Sequence, residues 1–378
     1  MRIANSCRRW LLFLVVAIGF LAIDGVSKAS PASPPSARPS SAVPTAPAVT
    51  PTTKVTAQQK PQPAKTPLPA AGLPESAARP TDSPPAVVYP DGFPRPVATW
   101  LEAQIELARR GLSCGPIDGI GGPQSISALK AFQESAGLPA NGALDPATRA
   151  GLILTAPPFA AISLAASELA ELQPVSPTWL GKSEQTALAY ESALEMVAER
   201  THAHPALIRR LNPGVDWTAI TPATALVAPA IGQITPRAKA ALIHIRMNDH
   251  VLEARDAAGA LLVHFPVSIA RNVEKRPAGE LHVTVAIADP DYTFDPDVFP
   301  ESEEARALGR KLILPPGPNN PVGVAWIGLD RPGYGIHGTP IPEQVGRTES
   351  HGCFRLANWD ARTLFNLVWV GLPVVVEP

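Results

Sequence analysis

Apolar residues recur at helical spacing where ordered chain is first expected, at Trp100, Leu101, Ile105, Ala108 and Leu112, and again at Ile126, Leu129 and Phe132 after Pro123. Asp118-Gly119 and Asn141-Gly142 supply turns between these stripes, and Asp145-Pro146 has the form of an N-cap followed by proline at the first helical position. The pattern predicts a three-helix module over residues 97–155. A second unit over 187–231 carries two short helical patterns, 188–200 and 205–211, followed by "NPGVDW" and the apolar run "ALVAPA". From Lys239 the period changes to two: "AALIHIRM", "HVLEARD", "ALLVHFPVSIA" and "LHVTVAIA" alternate and are rich in β-branched residues. Asn248-Asp249, Ala258-Gly259 and Pro277-Ala278-Gly279 punctuate them as hairpin turns. "VAWIGL" and "GYGIHG" continue the strands, an amphipathic helix starts near Asn358, and "LPVVVEP" closes with a strand. Residues 239–378 are therefore predicted to be a mostly β domain with one helix near its end.

Composition changes the picture mainly at the N-terminus. The chain has 378 residues and 45% hydrophobic content, enough for two or three buried cores. Of its 45 prolines, 18 fall between Ser30 and Pro96 in a stretch rich in Ala, Ser and Thr, which buries too little apolar surface to offset the entropy of ordering. Residues 30–96 read as a disordered or polyproline-like linker. Ahead of it, Arg2, Arg8 and Arg9 precede an apolar run from Trp10 to Ile23, and Ser27-Lys28-Ala29 offers a cleavage point. Residues 1–29 thus read as an export signal, cleaved or retained as an anchor, with a run short for a membrane span. Export to a periplasm or cell wall is the expectation, with membrane association only through an uncleaved anchor. The net charge of -1 gives no positive field for nucleic acid.

The reactive side chains gather in "IHGTPIPEQVGRTESHGCFRL", residues 336–356, which holds His337, His351, Cys353 and Arg355. A cysteine attacks as thiolate, and an ordinary thiol with a pKa near ~8.5 is only a few per cent ionised at neutrality. A neighbouring imidazole corrects that, and backbone N–H groups around a Gly-Cys turn are natural donors to a developing oxyanion. Gly352, between His351 and Cys353, is expected to permit a backbone shape that a side chain would hinder. Arg355 offers a fixed charge suited to a two-pronged grip on a carboxylate, or to a structural ion pair. His337, His351 and Cys353 are also acceptable zinc ligands, but their spacing matches no zinc template, so Cys/His nucleophilic catalysis is favoured over a metal site and over a polar loop. Cys114, the other cysteine beyond the export signal, has no His close in sequence and reads as structural; a disulfide between the two is left open. His202 and His204 read as exposed or capping residues, and Asn358 as an N-cap.

Three resemblances sharpen these expectations. "GPIDGIGG" followed by "ALKAFQESAGLPANGALDPATRAGL" is similar to the helical peptidoglycan-binding module, whose Asp-Gly, Phe-Gln and Asn-Gly anchors either touch ligand or only hold the turns. Residues 187–231 resemble a degenerate LysM repeat, two helices on a two-stranded sheet, with Glu191-Ser192-Ala193-Leu194 in place of the usual Gly-Asp-Thr-Leu at its first strand. The C-terminal domain resembles the YkuD-type L,D-transpeptidases, through the His-Gly at His337 and Gly338 followed by Ser350, His351, Gly352, Cys353 and Arg355. Phe354 and the insertion "DPDYTFDPDVFPESEEARALGRKLILPPGP" depart from that pattern. The resemblance implies a mostly β fold and a thiol acyl-transferase acting on peptidoglycan stem peptides. Cys353 would attack the bond between a diamino acid and D-alanine, His337 would act as base and His351 would position the thiol. Amides around Gly352 would form the oxyanion hole, while Ser350 would cap a turn or touch His337 or substrate. An amine from a second stem or a wall-anchored protein would resolve the thioester; water as acceptor would make the enzyme an L,D-carboxypeptidase, and an inactive domain would leave a wall-binding adaptor. Neither metal nor organic cofactor is implied.

Overall fold

Thr99, Pro123 and Asp145 open the three helices of the first module: α1 (Trp100–Arg109), α2 (Pro123–Ser135) and α3 (Pro146–Gly151). The Thr99 and Asp145 side chains each accept a backbone N–H three residues on, at 3.2 and 2.8 Å, and Pro123 occupies a position with no N–H to satisfy. The computed structural model describes residues 92–235, 237–299, 302–347 and 352–378, so the expected export signal and nearly all of the expected linker lie outside the described residues. Arg95 and Pro96, read as linker, instead form β1 (Arg95–Pro96), which pairs with β2 (Ile153–Leu154); Arg95 also makes a two-pronged ion pair with Glu102. No helix among the described residues is long and apolar enough to cross a membrane.

The apolar stripe of α1 divides. Ala103 and Leu107 pack with Leu129, Phe132 and Leu152 in the module's own core, whereas Ile105 and Ala108 join the core of the next module beside Met196, Val197, Leu207 and Ile208. Helical spacing identified the positions but not their partners, because a helix sandwiched between two cores needs apolar residues on two sides. Burying a side chain such as Ile105, fully inaccessible here, contributes about 1.5–3 kcal/mol, so the first two modules stabilise each other.

The second module is built from β3 (Phe159–Ile162), α4 (Ala166–Ala170), α5 (Trp179–Glu184), α6 (Ala193–Arg200), α7 (Pro205–Leu211) and β4 (Leu226–Pro229). Glu191-Ser192-Ala193-Leu194 is not a strand: Ser192 caps α6 by accepting the Glu195 N–H at 3.2 Å. The strand that pairs with β4 is β3, about thirty residues before Glu191, in antiparallel register from Phe159↔Pro229 to Ile162↔Leu226. His204 caps α7, but His202 is not exposed; it stacks on Trp359 with ring centroids 5.1 Å apart, and burial lowers its pKa to about 3.

The third module contains β5 (Leu242–Arg246), β6 (Val251–Arg255), β7 (Leu261–Pro266), β8 (Gly279–Ala288), β9 (Tyr292–Phe294), α8 (Glu303–Leu308), β10 (Leu312–Leu314), β11 (Ala325–Leu329), β12 (Gly335–His337), β13 (Phe354–Arg355), α9 (Asn358–Leu367) and β14 (Pro373–Glu377). Eight strands form one mixed sheet in the order β13-β12-β11-β8-β14-β5-β6-β7, parallel at β12/β13 and at β14/β5. Just past β7, Ser268 exchanges both backbone hydrogen bonds with Arg355 at 2.9 and 3.0 Å. The sheet therefore curls until its two ends meet at β13. Ile243, Phe265, Ile327, Phe354, Leu364 and Val374 lie in the core that the curl and α9 enclose. The insertion carrying β9, α8 and β10 has a core of its own, in which Phe294, Leu312 and Leu314 pack with Leu188 and Trp179 of the second module.

Backbone hydrogen bonds stitch the modules together. Ile117 joins the first to the second through His202 O and His204 N (2.8 and 2.9 Å), and Ser113 N and Gly111 O join the first to the third through His264 (2.8 and 3.0 Å). Leu188 joins the second to the third through Pro316 O and Asn319 N (2.9 and 3.0 Å).

Candidate active site

Strand pleating explains how residues distant in sequence share one face. In the parallel pair β12/β13, Ile336 is level with Phe354, and His337 is level with Arg355. Ile336 and Phe354 are buried in the core, so the opposite face of the pair receives His337 and Arg355. Cys353 directly precedes β13 and, two residues from Arg355, falls on the same side. Its Sγ donates to the Gly333 carbonyl at 3.5 Å, in the turn between β11 and β12.

His337 is buried, and its Nδ1 lies 2.7 Å from the Gly338 carbonyl oxygen. A carbonyl only accepts, so Nδ1 carries the hydrogen and Nε2 is left with its lone pair, the arrangement a base requires. Trp326, level with His337 on β11, stacks on the imidazole at 5.6 Å and fixes the ring plane. Burial lowers the His337 pKa to about 4, with Arg355 adding to the effect and the Gly338 carbonyl opposing it. The ring is accordingly neutral near pH 7. Burial raises the Cys353 thiol, while a hydrogen bond from the Gly335 backbone and the charge of Arg355 favour the thiolate. The resting pair is a neutral imidazole and a thiol with a cation nearby. Burial pushes the phenol of Tyr292, in the insertion, up to about 12, with the charges of Cys353 and Asp295 adding to it.

Several site expectations change. Gly352 neither adopts a left-handed backbone nor is crowded: an added Cβ would meet nothing within 4 Å among the described residues. Gly338 is the glycine the packing requires, since a Cβ there would lie 2.2 Å from Asn358 Oδ1. Asn358 is no N-cap; that position belongs to Ala357. Its amide instead accepts from Val324 N at 3.3 Å and donates to Pro318 O at 3.0 Å and to Glu199 at 3.1 Å. Cys114 and Cys353 are not joined in a disulfide, and Cys114 is buried in the first module, where its thiol is driven far above the usual range. Ser350 and His351 lie outside the described residues. In the first module, the buried Gln133 donates to Asn141, Ala143 and Thr148 and accepts from Gly142 N, so the Phe-Gln and Asn-Gly anchors hold a turn. Gln104 does the same for Asp118 and Gly119, and no motif pointed to it.

The family profile for the YkuD L,D-transpeptidase catalytic domain matches residues 240–376. Residues 240–376 are a YkuD-type L,D-transpeptidase catalytic domain. A peptidoglycan-binding domain family matches residues 98–152, the three-helix module that packs against it. Among relatives that carry L,D-transpeptidase names, YqjB of Bacillus subtilis is 33% identical over 117 residues, 30% of this chain and 57% of that one. YkuD of Bacillus licheniformis is 23% identical over 185 residues, covering 49% and 93%, and YbiS of Escherichia coli is 34% identical over 111 residues, covering 29% and 32%. The chain thus spans little more than half of the first relative and a third of the last. Among solved structures, L,D-transpeptidase 3 of Mycobacterium tuberculosis is 18% identical with a TM-score of 0.29, covering 37% of this chain and 61% of that one. In this L,D-transpeptidase domain the motif residues His337, Gly338, Cys353 and Arg355 sit on one short edge of the sheet, flanked by Trp326 and Asn358.

Proposed function

We propose that this protein is an exported peptidoglycan L,D-transpeptidase that uses Cys353 as its nucleophile and His337 as its base. The observation that carries the reading is the hydrogen bond from His337 Nδ1 to the Gly338 carbonyl, which leaves Nε2 unprotonated on the sheet face that Cys353 and Arg355 share. The peptidoglycan-binding module supports a wall substrate.

In the proposed reaction, His337 Nε2 takes the thiol proton as Cys353 Sγ bonds to the carbonyl carbon between a diamino acid and a terminal D-alanine. Backbone amides at Gly352 and Cys353, with His351, receive the oxyanion. The C–N bond then breaks, His337 returns its proton to the departing D-alanine amine, and a thioester remains. An acceptor amine from a second stem, or from a wall-anchored protein, attacks the thioester and gives its proton to His337; Cys353 leaves as thiolate and recovers that proton. Arg355 favours the thiolate and is placed to hold a carboxylate of the stem; Ser350 orients His337 or the substrate, and Gly338 supplies the carbonyl that fixes the base. No cofactor enters the scheme.

Intact-protein mass spectrometry after exposure to a carbapenem-type β-lactam should show one covalent adduct, located on Cys353 and lost in Cys353→Ala; an adduct elsewhere, or none, sinks the reading. The acylation rate should hold from about pH 5 upward through neutrality and fall as pH drops through about 4, where His337 becomes protonated. A rate that instead rises continuously from pH 6 to 9 would indicate attack by thiolate formed without this base. Incubation with sacculus fragments separates the acceptors, since cross-linked dimers require an amine and shortened monomers report water.

A further inference from the structure

The first turn of α9 follows the Cys353 strand directly, and both upstream modules grip it. Ser113 of the first module donates to Asp360 Oδ2 at 2.9 Å. His202 of the second stacks on Trp359. Glu199, also of the second, receives the Asn358 amide at 3.1 Å on each carboxylate oxygen and the Tyr190 hydroxyl at 3.1 Å. Asn358 in turn fills the space over two glycines: its Oδ1 would be 2.0 Å from a Cβ at Gly323 and 2.2 Å from one at Gly338. Gly338 is the residue whose carbonyl oxygen receives His337 Nδ1–H. A continuous chain of contacts therefore runs from Glu199 through Asn358 and Gly338 to the proposed base.

We infer that Glu199, which lies outside the catalytic domain, is a positioning residue for His337, acting through the Asn358 amide on the Gly338 peptide. This rests on the reading of His337 as the base. Glu199 is 9% exposed and Asn358 1%, so neither contact is shared with bulk water. Without the carboxylate, the Asn358 amide is held only by Pro318 O at 3.0 Å and by Val324 N at 3.3 Å, and it packs less firmly over Gly338. The Gly338 carbonyl is then free to turn, and the His337 hydrogen redistributes between its two nitrogens. On this account the second module completes the catalytic site, whatever it does or does not bind.

The test uses the full chain in three forms: parent, Glu199→Gln, which keeps an acceptor for Asn358, and Glu199→Leu, which does not. Acylation by a carbapenem-type β-lactam is expected to slow at least tenfold in Glu199→Leu and to stay within about threefold of the parent in Glu199→Gln. Nitrogen-15 NMR should show His337 as the Nδ1–H tautomer in the parent and in Glu199→Gln, and as a mixture in Glu199→Leu. Pelleting with sacculi should be equal for all three. The inference is overturned if Glu199→Leu keeps the parental rate and tautomer, or if both variants slow alike while the tautomer stays put. Because the tautomer is read without any acyl donor, a parent that takes no β-lactam would count against Cys353 as nucleophile and leave this test standing.

Discussion

Glu253 on β6 and Glu199 on α6 are both buried carboxylates at seams of the catalytic domain, and their surroundings differ in kind. Glu253 is ringed by Arg246 and Arg255, at 3.2 and 2.8 Å, and by His264 Nδ1 at 3.0 Å, while His264 Nε2 reaches Ser127 of the first module at 3.2 Å. Burial acts to raise Glu253, but hydrogen bonds from His264 and Arg246 hold it far below the usual carboxylate range. Glu199 meets an amide and a phenol, and its titratable neighbours, Tyr190, Glu195 and Glu343, include two further acids. Burial lifts it to about 7, against the hydrogen bonds from Asn358 and Tyr190. Asp360, buried against Ser113, is raised well above its ordinary value in the same way. The seam remote from Cys353 is thus a fixed electrostatic clamp, and the one beside Cys353 is sensitive to pH near neutrality.

The largest expected effect tests the clamp. Glu253→Ala leaves two guanidinium groups without their shared acceptor and should cost about 3–5 kcal/mol in urea unfolding. Cys353 acylation in the protein that remains folded should stay within twofold of the parent; a selective loss of acylation would erase the distinction between the seams.

The next effect tests the pH-sensitive seam. A carboxyl whose folded pKa exceeds its unfolded one takes up a proton on folding, so its contribution is full below about 4.3 and is lost as pH rises through the folded value. For Glu199 that window runs up to about 7 and amounts to on the order of 3 kcal/mol. Glu199→Gln should therefore flatten the decline in unfolding free energy between pH 5 and 8, measured by denaturant titration. Glu253 has the opposite sign, with a contribution present at neutrality and lost in acid, so a Glu253→Gln protein should show a shallower fall in stability below pH 4.

Smaller changes sharpen the contrast. Ser113→Ala removes the hydroxyl that donates to Asp360 and should cost about 1–2 kcal/mol, read as a shift in the denaturation midpoint, with slower acylation because α9 is loosened. Ser127→Ala, at the remote seam, should cost about 1 kcal/mol or less and leave the acylation rate unchanged.

Strands β5 to β8 were legible because alternation reports a half-buried sheet directly, and the cap of α3 because it is a contact within a few residues. The proposed nucleophile and base could be read from local chemistry and resemblance together. The missing parts all depend on distant partners. β3 is four residues long and becomes a strand by pairing with β4, about sixty residues on, while the two-sided burial of α1 depends on a neighbouring module. Asn358 looked like a cap because its position at the start of a helix is visible in sequence, whereas Glu199 and Gly338, which define its role, are 159 and 20 residues away. Trp326 carried no motif, and its importance comes from lying opposite His337 across the β11/β12 pair.

Leu188 and Trp179 lie between β3 and α6, and Phe294, Leu312 and Leu314 lie in the insertion between β8 and β11; these two excursions from their parent modules share one core. Each is the other's interior. Deleting either one exposes the apolar face of the other, so engineering that transplants this catalytic domain must carry both or neither.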